Sequence, residues 1–132
     1  MNNRYTKSRS ATYNLSYHII WCPKYRRKVL VGEIAERLKV LLTEKATEIG
    51  LAIEQMEVLP NHLHLFVKCD PTDSPQYIVG QLKGYTSFNL RKAFSSLKTK
   101  LPTLWTRSYY VESVGHISEA SIKKYIEDQK NQ

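Results

Sequence analysis

Between residues 12 and 22, TYNLSYHIIWC, apolar and polar positions alternate, so that Tyr13, Leu15, Tyr17, Ile19 and Trp21 share one face of an extended chain. A period of two is that of a half-buried strand. After the basic, proline-started loop PKYRRK the period changes: Ile34, Leu38, Leu41, Leu42 and Ile49 recur at helical spacing over residues 33–49, and Gly50 is a C-terminal stop. Residues 51–58, LAIEQMEV, predict a second strand, Pro60 and Asn61 a turn, and residues 62–68, HLHLFVK, a third strand. Ser74 as cap and Pro75 at the first position open a helix that runs to about Phe94, with Ile78, Leu82 and Tyr85 on its inner side. A basic, serine-rich loop then leads to LWTRSYYVES, residues 104–113, which predicts a fourth strand. Gly115 breaks the chain, Ser118 caps, and SEASIKKYIEDQ predicts a last helix.

The order β-α-β-β-α-β-α predicts an α+β fold, a ferredoxin-like antiparallel sheet with helices on one face and one additional C-terminal helix. No internal repeat and no long linker divides residues 1–132, so the chain reads as a single domain behind a flexible basic tail, residues 1–11. Its length is enough to bury a core, and its 42% apolar content excludes a disordered chain. Charge narrows the function classes: 20 Lys and Arg against 12 Asp and Glu give a net charge of +8, which favours a polyanionic partner. An anionic membrane is the weaker option, since no apolar run approaches the ~20 residues of a membrane span and MNNRYTKSRS holds no signal-peptide core. The expectation is a cytoplasmic protein, nucleoid-associated when bound to nucleic acid. Cys22 and Cys69 form no CxxC pair and read as small buried apolar groups in a reducing compartment.

The third strand carries the candidate chemistry. Leu63, Leu65 and Val67 turn toward the core, while His62 and His64 point together to the other side, ~7 Å apart at the backbone. Two imidazoles at that spacing can converge on one ion, although they make an incomplete shell and need a third ligand. The plainer alternative is two polar residues on a solvated sheet face. On the last helix Tyr125 and Gln129 lie four apart and share a face, flanked by Ile122 and Ile126. There the alternative is an amphipathic helix with Tyr125 in the core. His18 and His116 could sit near the pair, with a surface or core role as the plainer reading.

HLH preceded by PN, the early YRRK, and YIEDQ after a glycine together resemble the TnpA-like single-tyrosine HUH transposases, carried by small insertion sequences of the IS-two-hundred and IS-six-oh-five group. The resemblance runs from the first strand to Gln129, with no departure at the four key positions. It implies that His62, His64 and Gln129 bind a divalent metal, Mg²⁺ or Mn²⁺, and that Tyr125 is the nucleophile. It further implies an enzyme that cleaves and rejoins single-stranded DNA at insertion-sequence ends through a 5′-phosphotyrosine intermediate, recognising subterminal DNA hairpins. The implied assembly is a homodimer in which the tyrosine helix is able to complete its own subunit's histidine pair or that of its partner, with Gly115 as the point of swing. On this view the exposed face of the histidine strand is the floor of the metal site. Lys24, Arg26, Arg27, Lys28, Lys83, Arg91, Lys92 and Lys124 are candidate DNA contacts, and Tyr85 and Phe88 interleave with the helix cations in a manner suited to base stacking. Two rivals stand beside this reading: a domesticated relative acting on host palindromic repeats, and a non-catalytic ferredoxin-like module that binds single-stranded nucleic acid.

Overall fold

The computed structural model describes residues 15–114 and, before them, two short paired strands, β1 (Thr6–Lys7) and β2 (Thr12–Tyr13), with Thr6 opposite Tyr13. The alternation read over residues 12–22 thus divides between two sheets, and only β3 (Ser16–Trp21) enters the main one. The reason lies in the partner, β5 (His62–Lys68): its last residue pairs with Ser16, and the Cys69 N–H donating to the Leu15 carbonyl closes the ladder. Between and after these run α1 (Gly32–Glu48), β4 (Ala52–Leu59), α2 (Pro75–Ala93), α3 (Ser95–Lys100) and β6 (Tyr110–Val114). Residues 115–132 lie outside the described residues, and with them the predicted last helix, Tyr125, Gln129, Lys124 and His116.

The main sheet has the order β4-β5-β3-β6, every neighbouring pair antiparallel. Consecutive β4 and β5 form a hairpin, while α1 and α2 each carry the chain across a strand, which is the ferredoxin-like arrangement the sequence predicts. α1 packs on α2 and on β4, so the helices share one face. Leu63, Leu65 and Val67 point into that layer and are fully buried, together with Ile19 and Trp21 of β3. Burying each such side chain contributes about 1.5–3 kcal/mol. α1 contributes Leu38, Leu41 and Leu42 to the same core, α2 Ile78, Leu82 and Leu90.

The helix ends follow the sequence signals. Gly50 adopts φ +76°, and Leu51 N–H donates to the Ala46 carbonyl at 2.8 Å while Gly50 N–H reaches Thr47, closing α1 in a Schellman turn. Ser74 Oγ accepts from Tyr77 N–H at 3.1 Å at the start of α2.

Three local differences have physical causes. In β4 the pairing shifts between Ile53 and Gln55, a bulge that puts Ile53, Met56 and Val58 on one face despite their broken alternation in sequence. The basic loop after α2 contains α3, whose Leu97 is buried in the core. The fourth strand begins at Tyr110 and not at Leu104, because residues 104–106 are drawn to the start of the PKYRRK loop. There Lys24 N–H donates to the Leu104 carbonyl, Thr106 N–H donates to the Cys22 carbonyl, and Trp105 sits edge-on to Trp21 with its indole N–H on Thr86 Oγ1. No helix among the described residues is long and apolar enough to cross a membrane.

Candidate functional site

β5 is a central strand, flanked by β3 and β4, and its alternation puts both histidines on the face away from the helices. Their rings lie 5.0 Å apart, centroid to centroid, at an interplanar angle of 73°. The expectation of an exposed floor is corrected: His62 is 7% and His64 2% solvent-exposed. In the sheet, His64 sits between Ile20 of β3 and Glu57 of β4. The alternative of two polar residues on a solvated face falls with the same observation.

A third histidine belongs to the cluster. His18, on the same face of β3, is 2% exposed, stacks on His64 at 5.4 Å with 16° between the ring planes, and places its Nε2 3.2 Å from His64 Nδ1. It is neither a surface residue nor part of the hydrophobic core. Its other nitrogen, Nδ1, lies 3.6 Å from Glu112 Oε1 on β6, too long for a well-formed hydrogen bond but close enough for a strong charge–dipole interaction. Burial lowers the His18 pKa, and the Glu112 carboxylate only partly opposes that, so the ring is neutral at neutral pH. Glu112 is oriented by Tyr110, whose hydroxyl donates to Oε2 at 3.1 Å. On the far side, His62 Nδ1 meets Asn61 Oδ1 at 2.7 Å. The asparagine that reads as a turn former therefore also holds the first histidine. A signal for His18 exists in the sequence: its parity opposes that of Ile19 and Trp21, which puts it on the same side of the sheet as the HLH pair.

The donor set suits a divalent ion as far as it is described. Two imidazoles stand side by side, each engaged through Nδ1, in the manner of metal-binding histidines whose second nitrogen is held by a neighbouring group. Among the described residues no group of three or more His, Cys, Asp and Glu is placed to hold an ion, so the pair still requires its third ligand.

The basic candidates separate. Arg26, Arg27 and Lys28 are exposed and Lys24 half-buried in a turn where Tyr25 and Arg26 both take positive φ, 60° and 50°, and Lys24 Nζ lies 5.3 Å from the Tyr25 ring centre. Lys92 lines an open groove of about 820 Å³ with Arg91, Lys98, Gly84, Ser87 and Phe88, the last 68% exposed. Lys83 faces elsewhere: its ammonium donates to the Thr106 and Ser108 carbonyls at 2.6 and 2.9 Å. Arg91 also reaches back, to the Leu101 and Pro102 carbonyls. Tyr85 leans on the core with its hydroxyl donating to Glu44 at 2.8 Å.

Comparison with known proteins covers almost the whole chain. Residues 11–129 match the family model described as transposase, IS200-like. The chain is 42% identical over 125 residues to the ISDra2 transposase TnpA of Deinococcus radiodurans, covering 93% of this chain and 89% of that protein. It is 34% identical over 119 residues to the transposase for insertion sequence element IS200 of Salmonella typhimurium, covering 89% and 78%. Among solved structures, the fold superposes on a crystal structure of a candidate transposase from Deinococcus radiodurans R1 with a TM-score of 0.78, at 39% identity over 94% of this chain and 97% of that one. A REP-associated tyrosine transposase bound to a REP hairpin shares the fold at a TM-score of 0.60 and 13% identity, covering 95% of this chain and 66% of that one.

Proposed function

We infer that this chain, which belongs to the IS200-like transposase family, cuts and rejoins single-stranded DNA at the ends of an insertion sequence, with Tyr125 as nucleophile and a divalent ion, Mg²⁺ or Mn²⁺, held by His62, His64 and Gln129. The observation that carries the reading is the buried pair of imidazoles set side by side on β5 and engaged through Nδ1. Such a ligand set, neutral throughout, leaves the charge of an ion undiminished, whereas carboxylates would offset it. When bound, the ion supplies polarisation of the scissile phosphate and stabilisation of the charge that develops there.

The chain's own residues do the rest. A phenol ionises near pH ~10, so Tyr125 needs an activated phosphate to attack at neutral pH. Its Oη forms the new bond to phosphorus, the bond from phosphorus to the 3′ oxygen breaks, and in net balance the phenolic proton ends on that oxygen, so the leaving strand ends in a 3′-hydroxyl. The product is a 5′-phosphotyrosine. One phosphodiester replaces another, so rejoining by attack of a 3′-hydroxyl is the same step reversed and requires no nucleotide. Lys24, Arg26, Arg27, Lys28, Lys92 and Lys124 are the cations proposed to meet the DNA backbone, with the Phe88 groove available for an unstacked base. Subterminal hairpins are the proposed recognition elements, in keeping with the hairpin bound by the structural relative. The working unit is proposed as a homodimer, the Tyr125 segment of one subunit serving the histidine pair of its partner.

The test is Tyr125→Phe with single-stranded end DNA and Mn²⁺. Wild type is expected to give a covalent protein–DNA band on a denaturing gel, and the variant none, with hairpin affinity retained within a few-fold. An undiminished adduct in the variant would sink the assignment of Tyr125. Tyr110, half-exposed on the histidine face, would then be the next tyrosine to replace.

A further inference from the structure

The two histidines can serve one ion only if each presents a lone pair to it, and a neutral imidazole has a single proton to place on Nδ1 or Nε2. Around His62 the choice follows from Asn61: its Oδ1 accepts and cannot donate, so the nitrogen 2.7 Å away, Nδ1, carries the proton and Nε2 carries the lone pair. At His64 Nδ1 the neighbour is another imidazole, His18 Nε2 at 3.2 Å, and either ring has the means to donate. The decision falls to Glu112. If His18 donated from Nε2 to His64, its Nδ1 lone pair would face the Glu112 carboxylate at 3.6 Å, a repulsion inside a buried cluster. It would also put the His64 proton on Nε2. In the opposite arrangement the His18 Nδ1–H points at the carboxylate, His18 Nε2 accepts from His64 Nδ1–H, and His64 Nε2 holds the lone pair. The Tyr110 hydroxyl, donating to the second oxygen of Glu112, keeps that carboxylate turned toward His18.

We propose that Asn61 on one side and the His18–Glu112 pair on the other are positioning residues that hold both His62 and His64 in the Nδ1-protonated tautomer, so that both rings offer Nε2 to a divalent cation. The proposal rests on the reading of His62 and His64 as ligands given above, and adds how two strands outside the HLH motif make that motif competent. β3 and β6 contribute it through register alone: His18 pairs with Glu112, and Ile20 with His64, which leaves His18 diagonal to His64 on the same face. Outer groups of this kind typically change metal affinity about 10–100-fold when removed.

The experiment has two arms on the full-length protein. In the first, ¹⁵N-labelled histidine is followed by long-range two-dimensional NMR in metal-free buffer, which distinguishes the two tautomers of each ring. Wild type is expected to show His62 and His64 protonated on Nδ1; Asn61→Leu is expected to release His62, and His18→Phe and Glu112→Leu, which leaves no acceptor for His18 Nδ1–H, to release His64 toward Nε2–H. Asn61→Asp, which keeps the acceptor, is expected to retain the wild-type form. In the second arm, Mn²⁺ affinity is measured by calorimetry, with a loss of about 10-fold or more expected for Asn61→Leu and His18→Phe and a smaller one for Glu112→Leu. Glu112 stands at the half-exposed edge of the cluster, so its variant remains informative should His18→Phe fail to fold. Nε2–H rings in the wild type, or tautomers and Mn²⁺ affinities unchanged in all of the disruptive variants, would overturn the proposal. Absence of Mn²⁺ binding by wild type would instead overturn the ligand assignment, and the tautomer arm would still decide this one.

Discussion

His64 stands between two environments, with Leu63 and Leu65 beside it in the core and His18 stacked on its ring on the other face. Leu65→Ala is expected to cost about 2–5 kcal/mol through the cavity it leaves. From the sequence, loss of a histidine that faces away from the core would leave stability untouched. Burial alters that: His64→Ala removes the hydrogen-bond partner of a buried imidazole, and a cost of about 1–3 kcal/mol is expected. Urea titrations in the presence of a chelator measure both, and a histidine variant as stable as wild type would mean that the cluster is held by its surroundings alone. Cys69 offers a separate check on burial. Its thiol is pushed up to about 11, first by burial and then by the Asp73 and Asp70 carboxylates. The thiolate that alkylating reagents need is therefore scarce below that pH, and at pH 8 the native rate is expected to fall roughly 100-fold below that of the urea-unfolded chain. Equal rates would show that the end of β5 opens freely.

The elements were legible in proportion to how local their causes are. α1 ends in the turn that Gly50 announces, and α2 begins at the cap that Ser74 supplies, because both are decided within a few residues. The bulge in β4 and the late start of β6 were not legible, since each answers to a partner distant in sequence. Segment 104–108 is tied down from α2 by Lys83, a residue that by sequence alone reads as a DNA contact. Lys83→Met is accordingly expected to cost about 1–3 kcal/mol and to speed amide hydrogen exchange over residues 104–109, while hairpin affinity changes less than it does for Arg27→Ala. A larger loss of DNA binding than of stability would return Lys83 to the phosphate contacts.

Taken whole, the molecule divides its sheet between two tasks. One face is buried by α1 and α2; the other carries His18, His62, His64 and Glu112. A net charge of +8 surrounds this arrangement, and binding to single-stranded DNA is expected to weaken steeply with salt, the logarithm of affinity falling against that of salt by about 0.7 for each phosphate contacted. Fluorescence anisotropy between low and moderate salt measures the slope, and a slope near zero would remove the basic surface from the account of DNA binding.

The amino-acid sequence by itself determined the β-α-β-β-α-β order of the main sheet and its two long helices, the inward leucines of β5 and the shared face of His62 and His64, because strand parity and helical period are properties of a short stretch of chain. The family was legible too: HLH, YRRK and YIEDQ carry the resemblance to these transposases, and the family model matches residues 11–129. Only the tertiary structure decided that the histidine face is buried, that His18 and Glu112 stand beside His64, and that Lys83 holds a loop. Those outcomes depend on which strands become neighbours and in what register. His18 and His64 are separated by 46 positions in sequence, and their meeting is written in neither stretch alone but in the pairing of β3 with β5.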